Sequence, residues 1–103
     1  MSGWTELALT RWVAPHAMTK FASPSALREF ALETASLLRA AGQVEACGVM
    51  EAAATSVTGS GWEWLGELSV AAASIRQGFQ VSDPVAARLN RIREAATSKH
   101  PYA

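Results

Sequence analysis

A cysteine and a histidine held together can make a thiolate nucleophile, and this chain carries one cysteine, Cys47, and two histidines, His16 and His100. Cys47 falls in line with Met50 and Ala54 at helical spacing. On such an apolar face a thiol is a small buried hydrophobe. His16 sits in a proline-flanked connection and His100 near the end of the chain, both read as surface residues. Glu29 and Glu33 stand one helical turn apart and could share a cation, yet carboxylates at that spacing ordinarily form a solvated face. A di-iron bundle needs Glu-x-x-His pairs, and neither histidine has a glutamate three residues before it. One cysteine cannot supply the ligand pairs of a structural zinc. The stretch TGSG (58–61) lacks the lysine of a phosphate loop, and no strand leads into it as a nucleophile elbow requires. The sequence therefore predicts no catalytic residue, no metal and no cofactor, and the chain is read as non-enzymatic.

A second chemistry is suggested by PVAARLNRIREAATSK, where Arg88, Arg91 and Arg93 with Asn90 make a set able to touch bases or phosphates. A DNA-binding regulator using Arg88, Arg91 and Arg93 is the alternative reading. Charge argues against it. Nine basic and nine acidic residues give a formal net charge of zero, whereas phosphate binders carry a basic excess. The middle of the chain is acidic, with Glu29, Glu33, Glu45, Glu51, Glu63 and Glu67 against Arg28 and Arg39. The connection FQVSDP is also no tight turn. The simpler expectation is a basic last helix lying over acidic neighbours.

The elements that must position these residues are legible from their ends. Half of the 103 residues are hydrophobic, but 21 are alanine, the best helix former, so composition predicts an all-α fold with few large core side chains. Ser23-Pro24 opens a helix that runs to about Ala41, with Gly42 placed to end it. Its seam is Leu27, Phe30, Ala31, Leu38 and Ala41, with Leu37 alongside. A second helix spans about 43–57 and turns Val44, Cys47, Met50, Ala54 and Val57 to one side. Ser60 and Glu63 fit a capping box at the start of a third helix, which runs to about Gln77 before Gly78. Its seam is Leu65, Leu68, Ala72, Ile75 and Phe79. Trp64 falls at the edge of that seam and Trp62 on the opposite flank, so the two rings should serve different neighbours. Ser82-Asp83-Pro84 opens the last helix, with Val85, Leu89, Ile92 and Ala96 buried.

Residues 1–22 are read as an N-terminal arm or short helix. GWTELALTRWVA fits a helix with Trp4, Ala8 and Trp12 on one side, or a strand in which Leu7 and Leu9 alternate with their neighbours; helix is the favoured form. Residues 98–103 are read as a flexible tail. The whole is expected to be one domain, 1–103: a compact bundle of four main helices plus a short N-terminal helical element. No apolar run approaches the roughly 18 residues of a membrane span, and no charged leader precedes an apolar run, so a cytoplasmic protein is expected.

What remains is surface. Leu32, Val49 and Val70 each fall on the back of a successive helix, among polar neighbours. They are either incidental, covered by the N-terminal segment, or part of a binding surface. The reading carried forward is a small helical protein that binds another protein, as a regulator, inhibitor, immunity-type or accessory subunit, with a second copy of itself as one form of partner. Its anchors would be Leu32, Val49, Trp62 and Val70, with Trp4 and Trp12 behind them.

Overall fold

Serine hydroxyls close the front of three helices. Ser23 Oγ accepts the Ala26 N–H at 3.1 Å, Ser60 Oγ that of Glu63 at 3.2 Å, and Ser82 Oγ that of Val85 at 3.4 Å. The computed structural model describes residues 20–103. There the chain forms α1 (Pro24–Ala40), α2 (Val44–Ala54), α3 (Gly61–Gly78) and α4 (Asp83–Thr97). The fold is all-α, as expected. The predicted N-terminal element, with Trp4, Leu7 and Trp12, lies outside the described residues.

Short connections at 41–43, 55–60 and 79–82 make sequential helices antiparallel neighbours, so that α1 packs on α2, α2 on α3 and α3 on α4, with α1 also touching α4. The first connection is a Schellman turn. Gln43 N–H reaches Leu38 O at 2.9 Å and Gly42 N–H reaches Arg39 O at 3.0 Å, which requires the left-handed φ of +85° that Gly42 supplies. The Gln43 side chain then donates to Gln80 O at 2.9 Å, joining the two turns at that end of the bundle.

Alanines make up nine of the 21 buried hydrophobic residues, and the large ones are few: Leu27, Leu38, Met50, Leu68, Ile75, Leu89 and Ile92 are fully enclosed. Small side chains let the helix axes approach, so a modest set of large ones suffices to fill the centre.

Three expectations are corrected. α2 stops at Ala54 rather than Val57, because its last carbonyls are taken by side chains. Thr55 Oγ1 donates back to Glu51 O at 2.7 Å and Ser56 Oγ to Ala53 O at 3.1 Å, while Ala54 O accepts from Trp64 and Arg28. Val57 is left 99% exposed and Val44 61%, so neither belongs to the buried side. In α1 the seam includes Thr34 and Ala35, both fully buried, which turns it by roughly 30° and leaves Leu37 and Ala41 outside it. Finally, the end of the chain is tied down. Phe21 N–H donates to Pro101 O at 3.3 Å and Ala103 N–H to Phe21 O at 2.8 Å, a single parallel bridge between Phe21 and Tyr102 that buries Pro101.

Candidate protein-binding surface

Val49 on α2 and Val70 on α3 share one open groove of about 780 Å³. Val70 is 67% exposed, and it stands about 160° from the centre of the buried stripe of α3, too far round for its side chain to turn inward. Val49 sits on the flank of α2 away from α1 and is 38% exposed. Small residues line the groove beside the two valines, Ala53 and Ala71 buried and Ala52 and Gly66 exposed. Glu63 and Glu67 form one bank, and no basic side chain lines the groove. Glu63 is placed by the helix start: its N–H goes to Ser60 Oγ, the forward half of the expected capping box. Its carboxylate folds back over Gly59, where a Cβ would come within 2.9 Å of Oε1.

Trp62 belongs elsewhere. It is 66% exposed and lines a cleft of about 430 Å³ at the end of the bundle, facing Pro24, Lys99, His100, Pro101 and Tyr102. Trp64 forms part of the same cleft but is buried, its indole N–H donating to Ala54 O at 3.0 Å. Arg28 stacks over that ring at 5.2 Å and donates through Nε to the same carbonyl at 3.2 Å. The two tryptophans thus differ in burial but line the same cleft, rather than serving different neighbours as expected. Burial pushes the Tyr102 phenol above its ordinary value, against a smaller opposing pull from Arg28.

Leu32 is not on an outer face. Arg28, Leu32, Ala35 and Arg39 descend one flank of α1, and both arginines reach α2, Arg28 at Ala54 O and Arg39 at Glu51 (3.4 Å). Leu32 is half-buried on that flank and packs against the core. The shift of the α1 seam toward Ala35 accounts for the difference. Trp4 and Trp12 lie outside the described residues. Of the proposed anchors, then, the structure brings Val49 and Val70 together and leaves Trp62 in a separate cleft.

The arginines of α4 point in two directions. Arg88 and Arg91 face α1. Arg88 lies 3.9 Å over the Phe30 ring, and Arg91 is 4.4 Å from the Phe21 ring and 4.8 Å from that of Phe30. Arg88 also bonds Thr34 Oγ1 at 2.8 Å, Phe30 O at 3.1 Å and Glu33 at 3.1 Å. Arg93 is exposed on the side toward α3, beside Ala73 and Arg76. Cys47 is fully buried, while His100 is exposed at the Trp62 cleft. Among the described residues no cluster of three or more histidine, cysteine or acidic side chains could hold a metal ion, and no helix is long and apolar enough to cross a membrane.

Two features of the groove escaped the sequence. Glu63 was accounted for by its cap alone, and Ala52 and Ala53 by composition. The usable signal was that Glu63, Glu67, Val70 and Ser74 recur at spacings of four, three and four down one flank of α3, an acidic-to-apolar stripe off the core. No protein-family model, no curated protein and no solved structure matches the chain.

Proposed function

We propose that this chain is a small non-enzymatic helical protein that acts by binding another protein, and that the groove between α2 and α3 is where it does so. The observation that carries the reading is the sharing of one groove by Val49 and Val70, two exposed valines from different helices, with alanines and a glycine lining the rest of its apolar surface. Small lining residues admit a helix backbone closely, and apolar pegs ringed by charge are the usual anatomy of an interaction patch. A regulator, inhibitor, immunity-type or accessory subunit works in this way, by occluding or scaffolding its partner. The partner is either a different chain or a second copy.

Two measurements made side by side test this. Light scattering over a concentration series reports self-association, and selection from a displayed library of helical peptides reports a groove that takes helices. Binders or dimers that weaken by roughly ten-fold or more in Val49→Asp and Val70→Asp, with helicity unchanged, are the expected result. A strict monomer whose selected peptides are indifferent to both substitutions would sink the proposal.

A further inference from the structure

The charge around the groove selects its occupant. Glu63 and Glu67 stand one turn apart on the α3 bank, and neither has an ion-pair partner among the described residues, whose two ion pairs are Arg39–Glu51 and Arg88–Glu33. Among the described residues, Glu63 and Glu67 are the only charged side chains that line the groove. From Glu63 to Ser74 the groove runs about 16 Å, the rise of three helical turns. Resting on the protein-binding reading above, we infer that the α2–α3 groove docks an amphipathic helix of a different protein, one whose narrow apolar stripe is bordered by lysines or arginines spaced one turn apart.

The stripe must be narrow and made of small to medium side chains. Val49 and Val70 come from the two helices that line the groove, and a helix that is itself small along its contact line can approach the alanines and glycine beside them most closely. Bases at i and i+4 on one border then fall opposite Glu63 and Glu67, which repeat at the same interval. Glu63 already lies near the positive end of the α3 dipole, so Glu67 is the carboxylate with more to gain from a base across the groove.

A second copy of the described bundle offers no such helix. Arg28, Arg88 and Arg91 lie over aromatic rings, and Arg39 meets Glu51. Arg76 and Arg93 share a cleft between α3 and α4 with Ala72, Ala73, Gln77, Leu89 and Asn90, where no large apolar side chain is exposed.

The test uses the full isotope-labelled chain and two designed peptides. One is an alanine–leucine helix with lysines at i and i+4 along one border, and the other is its twin with glutamates there. The lysine peptide is expected to move the Val49 and Val70 methyl signals, with affinity falling about two- to five-fold in Glu67→Gln and on raising salt. The glutamate twin is expected to bind on the order of ten-fold more weakly. If both peptides bind equally at those methyls, the groove stands as a helix site but its selection for basic partners is overturned. If neither moves them, the protein-binding reading falls as well. If Trp4→Ser with Trp12→Ser moves them in the absence of peptide, the chain's own first residues occupy the groove and a foreign helix is the wrong occupant. A dimer broken by Val70→Asp would put a second copy there instead.

Discussion

Arg88 holds Phe30 by both its parts: the guanidinium lies 3.9 Å over the ring while Nη2 donates to the backbone carbonyl of the same residue at 3.1 Å. Thr34 completes the arrangement, its hydroxyl accepting from Arg88 Nε at 2.8 Å and donating to Phe30 O at 2.8 Å. A fully buried threonine and an arginine from the far end of the sequence thereby satisfy each other where α1 meets α4.

Replacing Arg88 with alanine is expected to lower stability by about 2–3 kcal/mol, since charge-assisted bonds to a buried hydroxyl and carbonyl are lost together. The salt bridge to Glu33 adds little, because that carboxylate is 70% exposed. Arg88→Lys should recover only part, as one ammonium cannot reproduce the fork. Denaturant unfolding of Arg88→Ala, Thr34→Val and the double variant should give a clearly non-additive cycle. Additivity would mean the two side chains act separately.

Trp64→Phe should cost about 1 kcal/mol or slightly more, keeping most of the buried ring while removing the N–H that caps Ala54 O. Arg28 remains on that carbonyl, so α2 should keep its end point. Amide exchange at the end of α2 checks this, and a helix that lengthened toward Val57 would mean that Arg28 cannot hold the end of α2 without the indole.

Leu32 and Val70 should respond differently to a charge. Val70→Asp, at an exposed position, is expected to change stability by less than about 1 kcal/mol, with helicity intact. Leu32→Asp brings a carboxylate to the half-buried flank between Arg28 and Arg39 and should destabilise by on the order of 1–3 kcal/mol. Circular dichroism with thermal unfolding distinguishes the two, and equal behaviour would refute the placement of Leu32.

Tyr102 provides a pH test, and as the sole tyrosine it can be followed without interference. Its phenol is raised in the folded chain, chiefly by burial, and ionises near 10 when unfolded. Above that pH the unfolded chain has released a proton that the folded chain retains, so stability falls as pH rises past about 10 and is unaffected below. Ultraviolet titration should show a midpoint above 10 in the folded protein and near 10 in denaturant. A folded midpoint at or below 10 would mean the phenol is not desolvated.

The helices were legible because their punctuation is local. Serine before proline, glycine after a run and apolar spacing of three and four report what each segment does to itself. Thr34 shows where that stops: a polar residue reads as surface until Arg88, 54 positions later, is known to sit against it. The end of α2 was misplaced for the same reason, since the indole that takes its last carbonyl comes from α3. Leu32 and Val70 looked alike as apolar residues on helix backs, and only the packing of neighbours separates a covered flank from an open one. The site was half visible: its two valines could be suspected singly, but their meeting over one groove is a property of how α2 and α3 are set together.

The bridge between Phe21 and Tyr102 has a mechanical consequence. The two segments run parallel, so the chain enters the bundle past one end of the bridge and leaves past the other. Tension applied through the entering and leaving strands pulls them in opposite directions along their length and loads both hydrogen bonds at once. An all-helical protein would otherwise be drawn apart turn by turn from its ends. Here traction meets a small shear clamp before any of the described helices is pulled.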